Sequence, residues 1–220
     1  ADSGNAGDLK AFKSDHPGHT VVSYVNTTAA VKALTDICVT SGNAKKVIDQ
    51  LPKDEKIIFG PDKNLGAYIN SFTGMQMLLW DGGCHVHERF SPEDIRRLKA
   101  EHPQAKVLAH PECKADVLAL ADIVGSTAVI LSYCQQHKEE KEFIVVTESG
   151  ILHEMRRSCP GTTFLTPTVC GAACNECEHM KKSTLLKIYN ALKYEWPTVD
   201  VLRPTATEAL TCIHRMLAMS

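Results

Sequence analysis

The sequence predicts an α/β fold made of pseudo-symmetric, repeated three-layer α/β/α domains on small parallel sheets. Two observations carry this expectation. Short β-branched runs alternate with helix-like stretches along the chain, the pattern left by parallel strands joined through crossover helices. The chain also matches itself without a gap at an offset of 86 residues, the distance from His16 to His102, which is the mark of a repeated unit.

The elements follow in order. "VVSYV" precedes the helical "TTAAVKALTD", "KIIFG" precedes "DKNLGAYINSF", and "MQMLLW" precedes "SPEDIRRLKAEH". The pattern resumes with "KVLAH", "KADVLALAD", "EFIVVT", "GILHEMRRS" and "TFLTP", and closes on helices near 181–193 and 205–217. Few strands pass before the pattern returns, so each sheet should be small. Under the offset, His16, Pro17, Leu34, Asp36 and Ile37 fall on His102, Pro103, Leu120, Asp122 and Ile123. Any two βα units share apolar positions; the His-Pro and Asp matches in one register point to duplication. The reading divides the chain into α/β repeat units at 1–100 and 101–180 and a C-terminal helical segment at 181–220.

Composition narrows the class. The 220 residues are 44% apolar and 23% charged with a formal charge of −2, as in ordinary globular proteins. Basic residues occur in pairs such as Arg96-Arg97 rather than in patches, so no nucleic-acid partner is expected. No apolar run approaches the roughly 20 residues of a membrane helix, and the first residues lack a signal-peptide layout. The expectation is a cytoplasmic or organellar-matrix protein with no membrane partner. Nine cysteines are many for such a compartment, where clustered thiols point to metal or redox chemistry.

The repeat aligns polar residues as well as apolar ones. Tyr24 and Asn26, at the end of the first strand, correspond to His110 and Glu112, and Thr40 and Ser41 correspond to Ser126 and Thr127. Ligands of parallel sheets bind beyond the carboxyl ends of the strands, so both sets should face one crevice, with helix N-termini available to an anion. Asn26, Ser41 and Ser126 would equally suit helix capping. Cys84, after Gly82-Gly83, corresponds to Cys170, and the same offset continued backwards would place a third cysteine just ahead of Ala1. The stretch "CGAACNEC" adds Cys174 and Cys177. A zinc-binding interaction module on Cys170, Cys174, Cys177 and His179, or a CxxC redox pair in "CNEC", competes with a role in a shared metal centre. Cys38, Cys113, Cys134, Cys159 and Cys212 read as core thiols, and His85 as pointing away from any site.

The motifs "SYVNTTAAVKALTDICVTSGNA", "DGGCHVHERF", "AHPECKADVLALAD", "VGST" and "CNECEHMKKSTL" resemble the iron-sulfur quinolinate synthase family over essentially the whole chain. The resemblance implies three pseudo-symmetric domains, of which these are the second and third, with the first domain missing. It implies a [4Fe-4S] cluster held by one cysteine per domain, its open iron acting as a Lewis acid. The implied reaction condenses iminoaspartate with dihydroxyacetone phosphate to quinolinate in NAD biosynthesis, and the fragment alone should be inactive. By the same resemblance, Glu112, His110 and Tyr24 are catalytic, Asn26, Ser41, His87, Ser126 and Thr127 bind substrate, and Cys84 and Cys177 bind the cluster. The repeat register supports Cys170 in place of Cys177, and the two lines of inference stay in conflict. Partnership with an aspartate-oxidising enzyme also follows from the resemblance.

Overall fold

The computed structural model describes residues 5–167 and 175–220; Cys170 and Cys174 lie outside the described residues. The first unit runs α1 (Ala6–Asp15), β1 (Thr20–Tyr24), α2 (Ala29–Lys32), β2 (Ile37–Val39), α3 (Ala44–Asp49), β3 (Ile57–Phe59), α4 (Lys63–Thr73) and β4 (Leu78–Leu79). A 3-10 turn at His87–Arg89 leads to α5 (Pro92–Glu101), β5 (Lys106–Ala109), α6 (Ala115–Leu118), β6 (Ile123–Val124), α7 (Thr127–Gln136), β7 (Glu142–Val146), α8 (Ile151–Ser158) and β8 (Thr163–Leu165). The chain then forms α9 (Glu178–Lys181), α10 (Leu185–Tyr194) and α11 (Arg203–Met219).

The strands form two four-stranded sheets of identical order, β2-β1-β3-β4 and β6-β5-β7-β8. Every pairing is parallel. This is the α/β architecture expected, and the duplication extends to single hydrogen bonds. Asp36 accepts from the backbone N–H of Val21 at 2.8 Å, and Asp122 accepts from that of Val107 at the same distance. That shared bond explains why the two aspartates match across the repeat: each fastens the turn before the second strand to the start of the first.

Strands covered on both faces should be apolar throughout, and Ile57, Ile58, Phe59, Phe143, Ile144, Val145 and Val146 are all fully buried. Helix α1 packs Leu9 beside Val21 and Ile58 of the first sheet and Val31 of α2. Helix α5 packs Ile95 beside Val107 and Ile144 of the second. Each sheet is thus covered by the helix that precedes its first strand, and α5 (Pro92–Glu101), all but its last residue within 1–100, joins the core of the second unit. Helix α11 returns across α2 and β2 of the first unit, burying Ala209 and Cys212. No helix among the described residues is long and apolar enough to cross a membrane.

In each sheet the chain leaves the first strand to one side and returns on the other, so the direction of winding reverses between β1 and β3 and between β5 and β7. Crevices open beyond the strand ends at such switch points. Asn64 joins the two units there, its side-chain amide donating to Glu88 Oε1 at 2.6 Å and to the backbone carbonyl of Glu112 at 3.1 Å.

Candidate active site

A cavity of about 800 Å³ lies at this junction, within the range of small-molecule sites. Its wall takes Tyr24 and Asn26 from the end of β1, Asp62 from the end of β3 and Cys84 from beyond β4. The second unit supplies His110 and Glu112 after β5, Thr147 and Glu148 after β7, and Cys177 beyond β8. His87, Thr127, His85 and His179 complete the part of the wall that carries chemistry.

The centre of the cluster is the Glu112 carboxylate. Its Oε2 lies 3.0 Å from His87 Nδ1 and 3.9 Å from His110 Nδ1, and the two imidazoles stack with centroids 4.7 Å apart. Thr147 Oγ1 holds His87 Nε2 at 3.0 Å, and Ser41 Oγ holds His110 Nε2 at 3.1 Å. The Glu112 oxygen is out of line for a hydrogen bond from His87 Nδ1, which is buried without a partner among the described residues. Both histidines and Glu112 are buried, so their charges are set by one another more than by water.

Burial alone would lower the His87 pKa, but the Cys84 sulfur and the Glu112 carboxylate outweigh it and raise it to about 9. Burial, reinforced by the neighbouring His87 charge, lowers His110 to about 4. The Glu112 carboxyl would be raised by burial, yet the two imidazoles hold it below the usual carboxylate range. Burial and then the Glu112 charge push the Tyr24 phenol up to about 12. Near neutral pH the cavity therefore holds a carboxylate, an imidazolium, a neutral imidazole and a phenol at close quarters. Such opposed proton affinities in one cleft are what acid–base catalysis requires.

Of the residues expected from sequence, Tyr24, Asn26, Cys84, His87, His110, Glu112, Thr127 and Cys177 line the cavity. Ser41 reaches it through its bond to His110. Ser126 does not line it: its hydroxyl caps α7 by accepting from Val129 N–H at 3.4 Å. The capping alternative for Asn26 goes instead to Thr28, which caps α2. Neither His110 nor Glu112 caps α6, whose N-cap position is Lys114. His85, expected to point away, lines the cavity with its ring 5.1 Å from that of His179. Cys38, Cys113, Cys134, Cys159 and Cys212 are buried core thiols. The glycine at 83 makes room for Glu88, since a Cβ there would lie 2.9 Å from Glu88 Oε1.

Sequence reasoning missed Asp62, Thr147 and Glu148. The signal was present, because the 86-residue offset sets Asp62 of "GPDKN" on Glu148 of "VTESG", each just past the third strand of its unit. Asp62 is buried, and burial with the Glu112 charge raises its carboxyl to about 6 against the pull of three backbone N–H donors.

Two units wound alike, with acid–base groups and two cysteines, one of them in a metal-capable group, gathered at one cavity beyond their strand ends, define a duplicated α/β enzyme. The family model described as "Quinolinate synthetase A protein" matches residues 1–218. The quinolinate synthase of Trichodesmium erythraeum (strain IMS101) is 46% identical over 221 residues, covering 100% of this chain and 68% of the relative. That of Trichormus variabilis is 47% identical with the same coverage, and that of Nostoc punctiforme is 48% identical over 211 residues, 96% of this chain and 65% of the relative. The chain belongs to the quinolinate synthase family and spans about two thirds of the length of these relatives.

Proposed function

We propose that this chain carries most of a quinolinate synthase active site, in which iminoaspartate and dihydroxyacetone phosphate condense to quinolinate with loss of phosphate and water. The observation that supports this reading most directly is the buried Glu112–His87–His110 cluster sharing one cavity with Cys84 and Cys177. In this reading Glu112 takes a proton from substrate carbon, and the neutral His110, whose Nδ1 accepts from the Glu112 backbone N–H at 3.4 Å, receives or returns protons at Nε2 through the Ser41 hydroxyl. Tyr24 stays protonated and donates a hydrogen bond to a developing oxyanion. Asn26 and Thr127 hold the polar ends of the substrates, and the cavity wall excludes bulk water from the reacting atoms.

The residues present fit an iron–sulfur centre. Cys84 and Cys177 pack on the same core cluster and line the same cavity, and soft thiolates suit iron–sulfur chemistry. Cys84, His87 and Glu112 offer donor atoms within 4.8 Å of one another. A [4Fe-4S] cluster held by Cys84, Cys177 and a third thiolate would supply a Lewis acid at its open iron. The third thiolate and further substrate contacts come, in this reading, from an α/β unit outside these 220 residues, without which the chain is inactive. An aspartate-oxidising enzyme would supply the iminoaspartate.

Anaerobic reconstitution tests the assignment. The longer protein, given iron and sulfide, should take up four irons and show an oxygen-sensitive visible chromophore that Cys84→Ala and Cys177→Ala each abolish. Retention of stoichiometric zinc in place of iron, or a chromophore indifferent to both substitutions, would defeat it.

A further inference from the structure

Two carboxylates do the same unexplained thing in the two units. Asp62 Oδ1 accepts from the N–H groups of Asn64 and Leu65 at 2.7 and 3.0 Å, while its Oδ2 reaches across to accept from the backbone N–H of Cys84 at 2.6 Å. Glu148 Oε2 accepts from Gly150 N–H at 2.7 Å, while its Oε1 accepts from the backbone N–H of Cys177 at 3.1 Å. In each case one oxygen holds the start of the following helix and the other holds a cysteine that arrives from a different loop.

The spacing makes this more than repetition. The two acids are 86 residues apart, in the register of the duplication, whereas Cys84 and Cys177 are 93 apart. The acid therefore finds the cysteine at its place in space, not at its place in the count. The residue in register, Cys170, lies outside the described residues.

We infer that Asp62 and Glu148 are positioning residues, each fixing the backbone of one thiolate ligand at the metal centre from the end of the third strand of its own unit. The inference rests on the reading of Cys84 and Cys177 as ligands. A carboxylate accepting from an N–H is a charge-assisted bond, about twice as strong as a neutral one, so it can hold a loop whose side chain must stay free to bind metal. It also sets a negative charge behind each ligand, which disfavours adding an electron to a bound cluster.

The metal-free longer protein tests the positioning role without a cluster. Asp62→Ser keeps a side-chain oxygen to cap α4 but is too short to reach Cys84 as well; Glu148→Ala removes the second bond. Alkylation followed by peptide-resolved mass spectrometry should show Cys84 reacting roughly tenfold faster in Asp62→Ser with Cys177 unchanged, and the reverse in Glu148→Ala. Asp62→Asn and Glu148→Gln keep the shape but offer a single accepting oxygen to N–H groups that approach from two sides, so each should react at a rate between wild type and its truncated variant. Unchanged rates, or equal acceleration of both cysteines in both variants, overturn the inference. Iron and sulfide content of the wild-type protein, measured on the same preparation, judges the cluster reading separately, because the alkylation result does not depend on it.

Discussion

At the scale of single residues, the site is a set of proton affinities pushed apart by shared burial. Glu112→Gln keeps the shape of the side chain and removes the base; it should leave metal content intact and lower quinolinate formation by about 10²- to 10⁴-fold, as loss of a general base does. Normal turnover in that variant would take Glu112 out of the catalytic set. The two histidines predict a pH dependence of opposite signs. His87, raised to about 9, binds more protons folded than unfolded, so its stabilisation is complete below about pH 6.5 and lost as pH rises through 9. His110, lowered to about 4, binds fewer protons folded than unfolded, so stability falls as pH drops from about 6.5 towards 4. The metal-free chain should lose stability as pH rises from about 6.5 to 9 in thermal unfolding, and His87→Gln should flatten that fall. Below about pH 6.5 Asp62, raised to about 6, opposes His110, so the His110 contribution is read as the difference between wild type and His110→Gln; a level alkaline side, or no such difference, would contradict the respective assignment. His110, Glu112 and Tyr24 were legible in the sequence because strand ends and the repeat pick them out. Asp62 and Glu148 were not, because what matters about each is a bond to a loop 22 or 29 residues away in the chain, and only the folded backbone shows it.

Elements were legible where burial enforces a pattern, as in the apolar strands β3 and β7 and in α4 and α5. Where a helix is one turn long the sequence overstated its length, as with α2 and α6, read as the longer stretches "TTAAVKALTD" and "KADVLALAD". Helix α4 shows how tightly an element is fitted. A Cβ on Gly66 would lie 2.5 Å from Leu79 Cδ2 and 2.8 Å from Phe59 Cδ1, and Phe59 is fully buried. Alanine would add about 1 kcal/mol of helix propensity but overpack a core that typically resists by about 1–3 kcal/mol. Gly66→Ala should therefore lower stability by up to about 2 kcal/mol in urea unfolding; a stabilised variant would show that α4 can shift freely. Helix α11 is held differently. It sets the Cys212 sulfur 3.0 Å from that of Cys38 on β2, a contact between chain ends of the kind that no local pattern announces.

At the scale of the molecule, three helices of ten residues stand in equivalent places: α1, α5 and α10, each capped by a side chain, from Asn5, Ser91 and Thr184. Their fourth residues are Leu9, Ile95 and Ile188, which are 0%, 1% and 46% exposed. The first two lie on sheets that follow them, whereas α10 leaves Leu185 and Leu192 exposed at 86% and 81%. Leu185→Lys with Leu192→Lys should be neutral within about 0.5 kcal/mol in thermal unfolding of the 220-residue chain. In the longer protein the same pair should cost about 1.5–3 kcal/mol for each leucine that becomes buried there. Equal effects in both would show that nothing covers this face. The duplication itself was plain from sequence, because an offset shared by His-Pro and Asp matches is hard to reach by accident. Its register points to Cys170, which lies outside the described residues, while the wall of the cavity holds Cys177. Seven residues separate the two, and the acid at 148 spans the difference. A thiol addressed by a carboxylate rather than by its ordinal place frees the loop that carries it to gain or lose residues over evolutionary time while the reactive sulfur stays where it is needed.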